Sequence, residues 1–154
     1  MKPDNLEFGW ATEGDSGEIG AFLEKAFGPT SFQAHPARQR WLYFDNPLGL
    51  HIAFCRAQGQ IVALCPHVPQ MIPLRGNQIL AGFGIDFFVI DQWRRRGIGR
   101  EFLNMRLERF PLSLSTGQSS SMGTLYANMG ATDLGPFHMG YFRKHPPLRG
   151  EFPS

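Results

Sequence analysis

The clearest chemical signal in the sequence is a basic, glycine-containing segment that follows the apolar residues 87–90. This segment consists of Arg94, Arg95, Arg96, Gly97, Ile98, Gly99 and Arg100, and an amphipathic helix begins where it ends. Glycines let the backbone turn tightly and approach a ligand, while the unpaired N–H groups of a first helical turn point outward. The helix dipole and the guanidinium groups add positive charge. The pattern therefore predicts an anion site, and phosphate is the natural ligand.

A single carboxylate, that of Asp86, stands in the long apolar pattern of residues 79–90. A carboxylate in such a strand must be paired or solvated by a cleft. Strand alternation predicts that it shares a face with Gly84 and Phe88. Two interpretations stay open: Asp86 relays a proton from a substrate ammonium, directly or through water, or it has a structural or substrate-orienting role.

Hydrophobic periodicity predicts strands and short helices around these residues. Strands are expected at residues 8–11, 51–56, 61–65, 79–90, 112–116 and 137–143, with residues 51–65 forming a hairpin. Helices are expected over residues 12–27, 37–44, 99–110 and 119–129, with Gly28, Pro111 and Gly130 marking ends. The scheme places the basic segment between a long strand and a helix.

Three further expectations concern the placement of side chains. The prolines of residues 66–73 should confine that stretch to a sheet edge or break it with bulges. On the helix over residues 99–110, Leu107 is expected on the core face and Arg106 on the charged, solvent-facing side. His51 and His67 are expected to be ordinary polar residues at strand ends.

The composition bounds the class of protein. A chain of 154 residues with 42% hydrophobic residues can bury a real core, and residues 1–154 are expected to form one domain with an irregular tail over 146–154. A net charge of +2 does not indicate nucleic-acid binding. The acidic N-terminal residues do not suit a signal peptide, and no stretch reaches membrane-spanning length. A cytoplasmic protein without a membrane partner is the expectation.

Cysteine usage argues against a disulfide framework and a metal site. Only Cys55 and Cys65 occur, and neither has the Cys/His spacing typical of zinc ligands. Both lie in apolar, strand-like runs. We expect buried thiols without a chemical role.

Two motifs and the order of elements resemble the GNAT superfamily of acyl-CoA N-acyltransferases. Residues 94–99 fit that family's Gln/Arg-x-x-Gly-x-Gly/Ala pyrophosphate signature, and residues 125–130 look like its Leu-Tyr-Glu-Lys-x-Gly-Phe segment. The resemblance covers nearly the whole chain. It implies an α/β fold in which a central mixed, mostly antiparallel sheet is flanked by helices, with a shortened C-terminal strand region.

The resemblance also implies acetyl-CoA as co-substrate and assigns residues to it. Backbone N–H groups of residues 95–99 would bind the pyrophosphate, and the main chain of Phe88, Val89 and Ile90 would pair with the pantetheine arm. Tyr126 falls where many such enzymes keep a tyrosine that protonates the departing thiolate. The alternative for Tyr126 is an amphipathic side chain that packs at a helix end.

The sequence departs from the family pattern in several places. Ala131 replaces the usual Phe, Ser119 stands where an Asn is common, and Ala63 takes the place of a frequent Gly. After Gly130 there is room for one good strand, whereas the family generally pairs two. Three explanations stay open: a shortened variant of the family, a sheet that a partner completes, or a longer parent that has lost its second half. An open sheet edge of this kind favours a homodimer or an exchanged strand.

The preferred function is transfer of an acyl group, most simply acetyl, from acyl-CoA to a primary amine of a small molecule or peptide, by direct attack in a ternary complex. The rival is a GNAT-like module that binds acyl-CoA without efficient chemistry. A nucleic-acid role ranks third, since nothing beyond the arginine cluster suggests it.

Overall fold

A computed structural model describes residues 5–117 and 119–135 of the chain. The strands are β1 (Leu6–Trp10), β2 (Ile52–Ala57), β3 (Gln60–Leu74), β4 (Asn77–Gly84), β5 (Phe88–Val89) and β6 (Leu112–Ser115). The helices are α1 (Ser16–Phe27), α2 (Pro36–Gln39), α3 (Ile98–Arg109) and α4 (Ser120–Asn128). A π-helical turn, Arg40–Phe44, extends α2, and 3-10 turns lie at Glu13–Asp15 and Asp91–Trp93. The predicted strand over residues 137–143 and the tail over 146–154 lie outside the described residues.

The six strands form one sheet in the order β1-β2-β3-β4-β6, and β5 pairs with β3. All the pairings are antiparallel except that of β4 with β6, which is parallel. The predicted hairpin is the β2–β3 pair. Helices cover both faces, because α1 packs on one hydrophobic cluster and α3 on the other. The predicted fold class, a mixed and mostly antiparallel sheet flanked by helices, is confirmed.

The prediction of one uninterrupted strand over residues 79–90 is wrong. The strand stops at Gly84 and resumes at Phe88, and between them Asp86 has a φ of +47°. A non-glycine residue with positive φ breaks the alternation of a strand, so the predicted shared face of Asp86, Gly84 and Phe88 does not hold. The β4–β6 ladder ends at the pair Gly84 and Ser115, whereas β5 pairs with β3. The chain therefore leaves β6 at this kink, and an opening forms between β5 and β6.

The proline-rich residues 66–73 belong to one continuous strand and do not break it with bulges. Beyond Pro66, one side of this strand is a sheet edge, as predicted. β3 runs through Pro66, Pro69 and Pro73 and has neighbours on both sides, and the first residue of β2, Ile52, lies opposite Pro66. The N–H of His67 points towards β2, where it bonds to the carbonyl of His51 at 2.9 Å. By alternation the nitrogens of Pro69 and Pro73 point to that same edge beyond β2, where no ladder N–H is needed.

The predicted buried face is found on α1, whereas on α3 two side chains were assigned to the wrong faces. Ile19, Phe22 and Leu23 of α1 are buried as the periodicity predicted. On α3 the expectation is wrong, because Arg106 is 3% exposed whereas Leu107 is 54% exposed. Ile98, Phe102, Arg106 and Phe110 are spaced by four residues and form the buried stripe.

Two histidines and two cysteines are buried near this stripe. His51 and His67 are not simple strand-end residues: their rings lie 5.1 and 5.4 Å from the ring of Phe110, and the Nδ1 atom of each is buried without a hydrogen-bond partner among the described residues. Cys55 and Cys65 are buried free thiols, as predicted. Burial raises the pKa of Cys55 to about 11 and that of Cys65 to about 12.

The last described helix has the ends that the sequence predicted. The hydroxyl of Ser119 accepts a hydrogen bond from the N–H of Met122 at the start of α4, and Gly130 has the left-handed φ of +81° after its end. None of the helices in residues 5–117 and 119–135 is long and apolar enough to cross a membrane.

Candidate functional site

The basic segment turns the chain into α3 and leaves the start of that helix open. Arg95 and Gly97 both have positive φ, +60° and +83°, which folds the segment back on itself. The first helical hydrogen bond joins the N–H of Glu101 to the carbonyl of Gly97 at 3.1 Å, and no side chain among the described residues caps the helix. The N–H groups of the first turn are thus available to an anion.

The two glycines of the segment serve different purposes. A Cβ on Gly97 would meet nothing within 4 Å, so this residue is needed for its left-handed backbone and leaves space for a ligand. A Cβ on Gly99 would lie 3.1 Å from Leu125 Cδ2 and 3.8 Å from Phe87 Cζ. Gly99 therefore allows α4 to pack closely against the start of α3.

The arginines of the segment are exposed, and two of them lie against the strand and turn before it. Arg94 Nε donates to the carbonyl of Val89 at 3.0 Å, and its Nη2 lies 2.9 Å from the carboxylate of Asp91. The guanidinium of Arg96 stacks over the ring of Trp93 at 4.7 Å. These contacts hold the positive charge of the segment beside β5.

The main chain of β5 offers one open edge towards β6. The N–H of Ile90 bonds to the carbonyl of Val62 at 3.1 Å and is therefore taken by β3. Alternation directs the main-chain groups of Val89 to the opposite side, where Arg94 reaches its carbonyl. Of Phe88, Val89 and Ile90, the three residues that the resemblance assigned to the pantetheine arm, Val89 has the geometry for strand-like pairing.

The hydroxyl of Tyr126 lies where the β4–β6 ladder ends. It is 3.4 Å from the hydroxyl of Ser115, the last residue of β6, and it accepts a hydrogen bond of 3.0 Å from Nη1 of Arg106. The guanidinium carbon of Arg106 lies 5.7 Å from the centre of the Tyr126 ring. Two different elements, β6 and α3, thus fix the position of this phenol.

Arg106 was missed as a site residue by the sequence prediction. Its Nε donates to the hydroxyl of Ser113, and its Nη2 donates to the carbonyls of Leu114 and Gly82 at 2.5 and 3.5 Å. A Cβ on Gly84 would lie 2.9 Å from Nη1, so a glycine at this position makes room for the guanidinium. A spacing of four residues from Phe102 and from Phe110 was the signal in the sequence that could have identified its burial.

Asp86 is held in a buried cluster on the other side of the kink. Nη2 of Arg38 lies 2.6 Å from its carboxylate, and the hydroxyl of Tyr43 donates to the same oxygen. Nη1 of Arg38 donates to the Tyr43 hydroxyl at 3.2 Å. The side chains of Arg38 and Asp86 are 10% and 9% exposed. Burial and the neighbouring carboxylate raise the pKa of Tyr43 well above the ordinary value of a phenol.

The structure therefore brings most of the predicted residues round one opening. Arg94 joins the basic segment to Val89, and the contact of Gly99 with Leu125 joins it to the helix that carries Tyr126. Asp86 stands apart in its own cluster with Arg38 and Tyr43, neither of which was predicted as a site residue. The amphipathic spacing of those two residues gave no sign of a partner 48 and 43 positions away.

Comparison with solved structures finds similar folds among acetyltransferases. No family model and no curated protein match the sequence. The aminoglycoside N-acetyltransferase AAC(6')-Iy, solved with a CoA-S-monomethyl-acetylneamine bisubstrate analogue, superposes with a TM-score of 0.69 at 11% identity, over 90% of this chain and 99% of that one. Glucosamine-6-phosphate N-acetyltransferase from Arabidopsis thaliana gives a TM-score of 0.68 at 14% identity, over 91% and 100%.

A third solved structure shares the same fold. The aminoglycoside 6'-N-acetyltransferase AAC(6')-Ih from Acinetobacter baumannii superposes with a TM-score of 0.66 at 14% identity, over 93% of this chain and 100% of that one. The chain has the fold of these GNAT-fold acetyltransferases. At these identities the similarity shows the fold alone.

Proposed function

We propose that this GNAT-fold chain is an acyl-CoA-dependent N-acyltransferase that transfers an acyl group, most simply acetyl, to a primary amine. The observation that carries the proposal is the convergence of three features on one opening. These features are the uncapped start of α3, the open main-chain edge at Val89 and the phenol of Tyr126. An anion site, a strand-like edge and a proton donor are what a CoA thioester requires.

In this proposal CoA spans the opening between β5 and β6. The N–H groups of residues 95–99 bind the pyrophosphate, with Arg94, Arg95, Arg96 and Arg100 supplying charge. The pantetheine amides pair with the main chain of Val89, while Phe88 and Ile90 contribute their side chains, because their main chains face β3. The thioester then reaches the end of the β4–β6 ladder, beside Tyr126.

The reaction proceeds by direct attack in a ternary complex. The neutral amine attacks the thioester carbonyl carbon, which the backbone near Val89 polarises, and the tetrahedral adduct loses its C–S bond. The electron pair stays on sulfur, which takes the proton of the Tyr126 hydroxyl, while the amine releases its proton to water. This sequence requires no covalent enzyme intermediate.

For Asp86 we propose the orienting role rather than the proton relay. Its carboxylate already accepts from Arg38 and Tyr43, and its backbone sits at the kink that separates β4 from β5. Both partners engage the same carboxylate oxygen, so this side chain ties Arg38 and Tyr43 to the kink. Asp86 would thus fix the kink, and with it the edge that receives the thioester.

The acceptor is proposed as a small-molecule or peptide amine. The names of two of the similar structures give aminoglycosides and glucosamine 6-phosphate as the acceptors of those proteins.

A homodimer that completes the sheet beside β6, the last strand of the described sheet order, is also part of the proposal. Sedimentation would test it, since a monomer at micromolar concentration would contradict it.

One observation favours the rival function, a module that binds acyl-CoA without chemistry. The carboxylate of Asp86 is committed to Arg38 and Tyr43, so the cluster provides no free base. The two functions differ in a direct experiment. Isothermal titration with CoA, run beside a thiol-release assay over a panel of amines, supports the enzyme if both signals occur and the module if binding occurs without release.

A matched pair of glycine variants tests the proposed CoA site. Gly97 and Gly76 have nearly equal φ values, +83° and +80°, and a Cβ would meet nothing within 4 Å at either position. Gly97→Ala and Gly76→Ala therefore carry similar backbone strain. We expect Gly97→Ala to weaken CoA binding about tenfold or more, a change of about 1.4 kcal/mol. Gly76→Ala should leave it unchanged, and equal affinities in the two variants would contradict the site.

A further inference from the structure

The guanidinium of Arg106 is a buried cation surrounded by neutral partners. It donates to two hydroxyls, of Ser113 and Tyr126, and to the carbonyls of Gly82 and Leu114. Within residues 5–117 and 119–135, no carboxylate lies within ion-pair distance of it. Burying a charge without a counter-charge is unfavourable, so an arginine in this position needs a specific reason.

The positive charge of Arg106 affects the pKa values of nearby buried groups. Burial is the largest cause that lowers the pKa of His67, and the charge of Arg106 is the second; together with smaller effects they bring this pKa to about 3. It also opposes the upward shift that burial gives Cys65. The side chain of Arg106 thus creates a positive potential at the end of the β4–β6 ladder, where the hydroxyl of Tyr126 lies.

The direction of the hydrogen bonds fixes which way the Tyr126 proton points. A guanidinium has donors and no acceptor, so Arg106 Nη1 must donate and the phenol oxygen must accept. The proton of Tyr126 is then directed away from Arg106. Its described acceptor, the hydroxyl of Ser115, is at 3.4 Å, a long bond that an incoming sulfur could replace.

We propose that Arg106 is a positioning residue for acyl transfer, which holds the Tyr126 hydroxyl with its proton facing the thioester and stabilises the negative charge that forms there. This role rests on the proposed function. As the C–S bond breaks, its electron pair stays on sulfur, sulfur takes the Tyr126 proton, and the phenolate left behind keeps the hydrogen bond from Arg106. The phenolate then takes a proton from water. A fixed charge placed before the reaction needs no rearrangement when the charge develops.

The first test measures the contact itself and does not depend on activity. The protein is labelled with ¹³C at the tyrosine Cζ, and the Tyr126 signal is assigned with Tyr126→Phe. Arg106→Gln should shift that signal, because it removes the charged donor to the phenol oxygen. Arg109→Gln is the control: it removes a charge from the same helix, but Arg109 stacks on Trp10 at 4.3 Å. An unshifted signal in Arg106→Gln would overturn the proposal.

The second test asks whether Arg106 acts through Tyr126. We expect Arg106→Gln to lower kcat about 100-fold with KM for acetyl-CoA little changed, the size seen when one fixed donor is removed. In a Tyr126→Phe background the same substitution should lower kcat by less than about threefold, because its partner is already gone. Losses that multiply in the double variant would mean a merely structural role and would overturn the proposal.

Arg106→Lys keeps the test decisive if the glutamine variant does not fold. The lysine retains the positive charge with one donor group. If Arg106→Gln folds, Arg106→Lys should have a kcat at least about tenfold higher than Arg106→Gln. If Arg106→Gln does not fold, Arg106→Lys should have a kcat within about tenfold of wild type. A Lys variant as inactive as Tyr126→Phe contradicts the proposal. A wild-type protein that binds CoA and releases no thiol would overturn the proposed function and the role in turnover together, and the labelled tyrosine signal would still report the contact separately.

Discussion

Two arginine–tyrosine pairs flank the kink between β4 and β5, and they differ in one feature. Arg38 and Tyr43 share the carboxylate of Asp86, whereas Arg106 and Tyr126 have no carboxylate between them among the described residues. In the first pair the phenol donates its proton to the carboxylate. In the second the phenol donates to the hydroxyl of Ser115 at 3.4 Å, while in both pairs the phenol oxygen accepts from the guanidinium.

The charge of the third group decides what each tyrosine can do. Burial and Asp86 raise the pKa of Tyr43, and its proton is held in the cluster, so the first pair is a structural tie between the α2 region and the kink. Tyr126, like Tyr43, accepts from a guanidinium, but its proton has only the hydroxyl of Ser115 at 3.4 Å as an acceptor, which suits a proton donor. Residue type alone would have assigned the same role to both.

The largest effect expected from breaking the first pair is on stability. Asp86→Asn leaves the buried guanidinium of Arg38 without its counter-charge, and we expect a loss of about 3–5 kcal/mol in the free energy of unfolding. Urea denaturation of the purified protein would measure it. Asp45→Asn is the control, because the Arg40–Asp45 pair is about half exposed and should contribute no more than about 1 kcal/mol.

Tyr43→Phe should have a smaller effect of the same kind. It removes the buried hydroxyl that lies between Arg38 and Asp86 and leaves part of their hydrogen-bonding capacity unused. The expected loss is about 1–3 kcal/mol in the free energy of unfolding, again from denaturant titration. A variant as stable as wild type would mean that the first pair is not a structural tie.

A glycine variant sharpens the account of the second pair. Gly84→Ala places a Cβ 2.9 Å from Nη1 of Arg106, so the guanidinium must move away from Tyr126. We expect kcat to fall about tenfold, or about 1.4 kcal/mol in the activation free energy, with CoA affinity retained. Gly82→Ala is the comparison, because its Cβ meets the ring of Phe110 at 2.5 Å and should lower stability by overpacking. Unchanged turnover in Gly84→Ala would argue against the need for this space.

The smallest expected effect concerns the pH dependence of stability. Burial, followed by the charge of Arg106, lowers the pKa of His67 in the folded protein to about 3, below the value near 6.5 of an unfolded chain. Stability from the neutral ring is therefore present above about pH 6.5 and is lost as the pH falls below it. Between pH 7.5 and 5.5 we expect a loss of about 1 kcal/mol that His67→Leu removes. An equal loss in both proteins would contradict this origin.

The sequence predicted the elements better than it predicted the partners of their side chains. The apolar stripe of α1, the hairpin and the ends of α4 follow from local rules of periodicity and capping, and each is found. The kink at Asp86 depends on pairing with a distant part of β3, so strand alternation could not foresee it. The burial of Arg106 was missed because charge was given more weight than its spacing from Phe102 and Phe110.

The basic segment before α3 shows the same difference between local structure and side-chain partners. The glycine and arginine spacing predicted an open helix start, and the first turn of α3 has it. The position of α4 is needed to distinguish the two glycines. Gly99 packs against Leu125 of α4, whereas Gly97 faces open space. Local chemistry could be inferred from residue types, while the choice between packing and binding needed the tertiary contacts.

The most direct test of the central claim compares turnover in the two tyrosine variants. Acetyl-CoA consumption with a productive amine would be followed by thiol release across the pH range for wild type, Tyr126→Phe and Tyr43→Phe. We predict that Tyr126→Phe lowers kcat by about 10²–10⁴-fold with CoA affinity unchanged, and that Tyr43→Phe retains its kcat where it is folded. A Tyr126→Phe protein that kept full turnover at every pH would contradict the claim that this phenol protonates the departing thiolate.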